Sequence, residues 1–213
     1  MRTRNLSLIL LFLLAAGWIG HTLTSNLVLD VHDTKIIAQK DWTGVQTEIW
    51  LPVLYTHIVA ASVAVLTGPF GFSQKLRVKS PGWHRRNGTI YVLAVLIAAL
   101  TALYLSFYAD GGVVSIIGFL LLSTIWFAAT WRSVTMIKLR DYSGHHAWMI
   151  RSYALSLANT TLHIWLMIGD TVIGLDHITA YQFAIWICWV GNLTFAEWII
   201  RRGRSRKAVP LHA

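Results

Sequence analysis

Six apolar runs, each long enough to cross a lipid hydrocarbon core, take up most of this chain. A core of about 30 Å needs about 20 helical residues, because an α-helix rises about 1.5 Å per residue. The runs fall at roughly 6–28, 50–72, 89–109, 113–136, 147–169 and 179–200. In hydrocarbon every backbone N–H and C=O must be satisfied inside the chain, and a helix does this locally. The expected fold is therefore an all-α integral membrane bundle of six transmembrane helices. Of the 213 residues, 55% are hydrophobic and only 13% charged, which leaves no room for a soluble catalytic module. Residues 1–200 read as one transmembrane domain and 201–213 as a basic tail. The first run follows Arg2 and Arg4, as a signal peptide would. It is longer than a usual h-region and no A-x-A-like site follows it, so an uncleaved helix is expected.

A formal charge of +9 would suggest nucleic acid as the partner of a soluble protein. Here the charge follows topology instead, and no nucleic-acid partner is expected. Lys75, Arg77, Lys79, Arg85 and Arg86 fall between the second and third runs. Arg132, Lys138, Arg140 and Arg151 surround the next turn on the same side, and Arg201, Arg202, Arg204, Arg206 and Lys207 close the chain. Only Lys35 and Lys40 fall on the other side, together with Asp30, Asp33, Asp41, Glu48, Asp110, Asp170 and Asp176. The positive-inside rule then puts both termini in the cytoplasm and the 30–49 loop outside. The basic tail is expected on anionic lipid headgroups. Cys188 stands alone inside the last run, which excludes an intramolecular disulfide and a thiolate metal cluster. Trp42, Trp50, Trp83, Trp131, Trp148 and Trp198 fall near run ends, where indole rings favour the interface. Trp165 and Trp186 lie deeper. Pro81-Gly82 reads as a turn ahead of a helix, Asp110-Gly111-Gly112 as a tight turn, and Asp141 or Ser143 as a helix cap.

Ionisable side chains in a membrane are costly unless paired, and mark function by default. The histidines fall into two layers. Helical rise puts His21 roughly 22 Å and His163 roughly 24 Å from the cytoplasmic ends of their helices, and His57 roughly 10 Å below the outer surface. These three share the outer third. His84 and His145 open the third and fifth helices at the other face. At about 100° per residue, His145, Ser152, Ser156, Asn159 and His163 form one polar stripe, which should face the bundle interior. Asn159 would then orient the His163 ring. His146 points about 100° away and is expected at the surface. His32, His177 and His212 read as loop and tail residues. A cofactor between the third and fifth helices would take His84 and His145 as axial ligands, with Arg85, Arg86 and Arg151 meeting haem propionates. The plainer alternative is that these residues snorkel to headgroups. Ala60, Ala64, Gly68 and Gly71 give the second helix a small-residue face, suited to close helix packing or to a flat cofactor.

Three elements carry a family resemblance. His57 with Gly68-Pro69 after it resembles an H…GP element. His84-Arg85-Arg86-Asn87-Gly88-Thr89-Ile90-Tyr91 resembles HRxxGxxY, and His145-His146-Ala147-Trp148-Met149-Ile150-Arg151-Ser152-Tyr153-Ala154-Leu155 resembles HxxWMxRSYAL. Together, over roughly residues 50–165, they are similar to an uncharacterised family of bacterial multi-pass membrane proteins. The resemblance implies a bacterial cytoplasmic-membrane location and a membrane role for His57, His84, His145 and Arg151, and no established activity. The chain departs from the pattern at His163, where Arg is expected, and at His146, often Arg as well. A looser similarity is to cytochrome b561-type proteins, helical bundles with bis-histidine b haems near each membrane face.

Three functions stay open on the sequence. The first is a membrane electron-transfer protein or oxidoreductase holding haem b through His57, His84, His145 and His163, with quinol or another redox protein as partner. The second is a copper-binding oxidoreductase using the outer cluster of His21, His57 and His163. The third is a non-redox small transporter, or an assembly or sensor subunit, whose histidines are protonatable or packed.

Overall fold

The structure, a computed structural model, describes residues 45–208 and, before them, residues 16, 17, 19, 20 and 24. The expected first helix, the 30–44 part of the outer loop, His21, His32, Trp42 and His212 lie outside the described residues. Among the described residues every regular element is a helix. Four helices are long and apolar enough to cross a membrane: Thr47–Gly71, Pro81–Ser106, Gly112–Lys138 and His177–Gly203. The chain divides into two compact units, residues 1–112 and 113–213, each described by itself.

In the first unit, α1 (Thr47–Gly71) and α3 (Pro81–Ser106) pack as a pair, joined by the short α2 (Gln74–Lys79). Their pairing is antiparallel. His57 meets Ala98, and Thr67, ten residues further along α1, meets Asn87, eleven residues back along α3. Small residues make the seam. Ala60, Ala64 and Gly68 are buried on α1, and Ala94, Val95, Ala98 and Ala99 on α3. The opposite face of α3 carries exposed Ile90, Leu93, Ile97 and Leu100. This helix is apolar all round, with small residues inward and large aliphatics outward, as expected where the solvent is lipid. The α1 seam therefore serves helix packing, and Gly71, at its end, is not part of the buried set.

The third helix starts eight residues before the expected 89, at Pro81. Pro81-Gly82 is its first turn and not a loop ahead of it. Proline at the first helical position has φ pre-set and gives up only an N–H that would have no helical partner. The polar residues 84–87 hid this start from the apolar pattern.

In the second unit, α4 (Gly112–Lys138), α5 (Tyr142–Ser156), α6 (Ala158–Met167) and α7 (His177–Ala208) follow one another, with a π-helical turn at Ile168–Ile173 between α6 and α7. The Asp110-Gly111-Gly112 turn is present, with Gly111 at φ 84° and Gly112 at φ 71°. Asp141 caps α5 by accepting from the Gly144 amide at 2.8 Å. The last helix runs on through Ala208, so the first eight residues of the expected tail are helical. Trp83, Trp131 and Trp198 are exposed, in keeping with an interfacial belt, whereas Trp50 is buried.

The expected fifth helix, 147–169, is not continuous. It stops at Ser156 and resumes at Ala158. Asn192 of α7 donates to the Ala154 carbonyl at 3.0 Å and to Thr161 Oγ1 at 3.1 Å, from the two sides of the break. A side chain entering the backbone ladder is an established cause of a kink. The Ala154 carbonyl, which also accepts from the Leu157 amide at 3.3 Å, is thereby satisfied without water, as hydrocarbon requires. The π-helical turn ends at Gly174, φ 76°.

Gly169, in that turn, tests the packing. A Cβ there would come within 2.8 Å of the Ala180 Cβ, which cannot rotate away. Gly169→Ala is expected to cost about 1–3 kcal/mol through overpacking. Gly191→Ala, where a Cβ meets nothing within 4 Å, should cost nothing. Thermal unfolding in detergent reads both.

Candidate functional site

In the first unit the ring of His57 is fixed by α3. Its Nδ1 lies 2.9 Å from the Ala98 carbonyl oxygen and 3.3 Å from Thr101 Oγ1. Thr101 sends its own hydroxyl proton to the carbonyls of Ile97 and Ala98, each at 2.9 Å. A carbonyl only accepts, so Nδ1 carries the proton and the neutral ring has its lone pair at Nε2. A histidine that ligates a metal through Nε2 needs this tautomer and this kind of backbone anchor. Asn87 is buried and donates to the Thr67 carbonyl at 3.0 Å, tying the first turns of α3 to the end of α1. His84 sits in the first turn of α3, half-buried, as expected for a helix-opening residue. Arg85 and Arg86 beside it are exposed.

In the second unit His145 shows the same anchoring. Its Nδ1 lies 2.9 Å from the Ser133 carbonyl of α4. By the same argument, Nδ1 donates and Nε2 keeps the lone pair. From there a buried polar seam runs between α4 and α5. Ser133 Oγ donates to the Thr130 carbonyl at 2.7 Å, and Thr130 donates to the Trp126 carbonyl at 2.9 Å. The Ser152 and Thr130 hydroxyl oxygens lie 2.7 Å apart, in hydrogen-bond contact. Ser156 accepts from Trp126 Nε1 at 3.2 Å and donates to the Ser152 carbonyl.

Half of the expected polar stripe is therefore interior. Ser152 and Ser156 are buried and His145 is anchored, but Asn159 and His163 are exposed on α6. The break after Ser156 shifts the helical phase, so a stripe drawn through an unbroken helix leaves the seam there. His146 is exposed, as its angle from His145 requires. His177 is 65% exposed and its Nδ1 meets Asp170 Oδ2 at 3.0 Å. The neighbouring Asp176 carboxyl is held below its usual value by the side-chain and backbone bonds it makes with Thr179 at the start of α7.

Arg151 is committed within the protein. Its Nε and Nη2 donate to the two carboxylate oxygens of Glu197, the second at 3.1 Å, and its guanidinium lies 4.5 Å from the centre of the Trp148 ring. A paired fork of this kind is the strongest geometry open to an arginine. Glu197 and Asn192 are the residues sequence reasoning missed. The available signal was plain: each is a polar side chain inside the last apolar run, and Glu197 is its lone acid. Among the described residues no three His, Cys, Asp or Glu side chains gather closely enough to hold one metal ion.

A family model described as "Predicted membrane protein (DUF2306)" matches residues 54–200. The chain belongs to that family. The match takes in His57, His84, His145, Arg151, His163 and Glu197, and leaves out His21. Searches of curated proteins and of solved structures return no match. The comparisons thus give no support to a link with cytochrome b561-type proteins. Membership of DUF2306 accords with the membrane-spanning helices and brings no activity with it.

The Arg151–Glu197 pair is expected to couple α5 to α7 by about 1–3 kcal/mol, between the values for exposed and buried ion pairs. A double-mutant cycle with Arg151→Met and Glu197→Gln, read by thermal unfolding, measures it. Additive losses would show that the pair is not coupled.

Proposed function

We propose that this protein is a membrane electron carrier or oxidoreductase that binds haem b through histidine Nε2 atoms, those of His57 and His145 first. One observation carries the reading. Both rings spend Nδ1–H on a backbone carbonyl of a neighbouring helix, at 2.9 Å, and so hold Nε2 as the free ligand atom. An axial ligand must keep its lone pair and its ring plane, and this anchoring provides both. Bound haem would supply one-electron chemistry, with quinol or a redox protein as its donor. His84 and His163 are the candidates for the second axial positions. Arg85 and Arg86 are exposed and are candidates for propionate contacts, whereas Arg151 already has two donors on Glu197.

The topology we propose is six passes through a bacterial cytoplasmic membrane, with both termini inside. Cations at 75–86, 132–140 and 201–207 alternate with acids at 48, 110, 170 and 176 along the described helices, as that topology demands.

A reduced-minus-oxidised visible spectrum of the purified protein, with metal analysis on the same sample, is the test. The expected result is a Soret band with sharp α and β bands, lost or halved in His57→Ala and in His145→Ala. Loss in His84→Ala or His163→Ala would identify the second ligands. A colourless protein overturns the haem reading. Copper in that sample would shift the site to His57 and His163 with His21, and no metal at all would favour a small transporter or an assembly or sensor subunit.

A further inference from the structure

The segment joining α1 to α3 and the first turns of α3 carry five cations in twelve residues: Lys75, Arg77, Lys79, Arg85 and Arg86. All five are exposed. Between residues 49 and 109 there is no aspartate or glutamate. Among the described residues none of the five side chains makes an ion pair or a hydrogen bond. The contrast with α5 and α7 is sharp, where Arg151 holds Glu197 and Arg202 stacks on Trp198. Among the described residues these five cations have no counter-charge of their own.

Their position limits what supplies one. α1 and α3 both qualify as membrane spans, so the turn between Gly71 and Pro81 lies where the hydrocarbon ends. Lys75 and Lys79 are four residues apart on α2 and share one side of it. Apolar side chains are interleaved with the cations. Val78 is 71% exposed and Trp83 is 44% exposed, with the Trp83 ring edge-on to Phe70 at 5.5 Å. An acidic soluble partner would answer the charges but offer no apolar phase for Val78 and Trp83. A lipid leaflet offers phosphate and hydrocarbon within a few ångströms of each other.

We infer that the α1–α3 turn and the start of α3 form a binding surface for the phosphodiester headgroups of anionic phospholipid, with Lys75, Arg77, Lys79, Arg85 and Arg86 as the phosphate contacts and Trp83 seated among the upper acyl chains. Lys75, Arg77 and Lys79 have no part in the proposed haem site, so the variant at these three tests the surface separately from the haem reading, whereas Arg85 and Arg86 are also the propionate candidates. Each basic residue near an anionic membrane contributes about a fivefold gain in affinity.

The test uses the full chain, delipidated in detergent, with phosphatidylglycerol, phosphatidylcholine and inorganic phosphate as probes. Lipid retention is read by native mass spectrometry. Wild type should retain phosphatidylglycerol in preference to phosphatidylcholine. The triple variant Lys75→Gln/Arg77→Gln/Lys79→Gln should bind phosphatidylglycerol about a hundredfold more weakly, and Arg85→Gln/Arg86→Gln about twenty-fivefold. Unchanged helicity by circular dichroism shows that a variant is folded, and the second variant stands in if the first is not. Equal retention of the two lipids by wild type overturns the inference, as does undiminished phosphatidylglycerol binding in a folded variant. Full displacement of phosphatidylglycerol by inorganic phosphate also overturns it, by making the turn a site for soluble phosphate.

Discussion

A polar group inside these helices has no water to turn to, and the structure follows from how most of them find a partner within the protein. The usual answer is local. Thr67, Ser106, Ser123, Thr124 and Thr194 each return a hydroxyl proton to the carbonyl four residues earlier. This makes a serine or threonine nearly silent in an apolar helix and lets it sit at a close-packed seam. The informative residues are the ones that reach across. His57, Asn87, His145, Asn192 and Arg151 each span to a second helix.

Those crossings divide the labour of holding each unit together. In the first unit, small residues let α1 and α3 approach closely, and His57 and Asn87 fix their register from two points. In the second, α5 is held on one side by His145 and the hydroxyl seam on α4, and on the other by Glu197 and Asn192 of α7. Burial of apolar area contributes little to association between helices when lipid is the alternative environment. Packing of small side chains and interhelical hydrogen bonds therefore decide the arrangement. The same bonds give His57 and His145 a defined tautomer, so the contacts that hold the helices in register also present the ligand atoms.

Much of the fold was legible in the sequence, and the residues say why. Length and apolarity mark a span locally, and four of the expected helices appear, three of them with their centres within about two residues of the expected place. Gly111-Gly112 and Asp141 act through short-range geometry and did as expected. The early start at Pro81 escaped notice because residues 84–87 are polar, although proline at a first helical position was a readable signal. Of the candidate site, His57 could be named because an imidazole in an apolar run stands out, and His145 because it falls just ahead of one. Their carbonyl partners could not, since every residue has a carbonyl and only the packing chooses one.

By itself the sequence determined that the chain must be helical and membrane-spanning, where its polar side chains would be scarce, and how charge is distributed about its turns. These properties follow from composition and periodicity within about 20 residues, which is the reach of a single helix. Only the tertiary structure decided that the fifth segment breaks after Ser156, that Asn159 and His163 leave the buried stripe, and that Arg151 belongs to Glu197. Each of these depends on a partner 30 or more residues away in the chain, or on a phase shift that such a partner enforces. Helical periodicity carries no information across that distance.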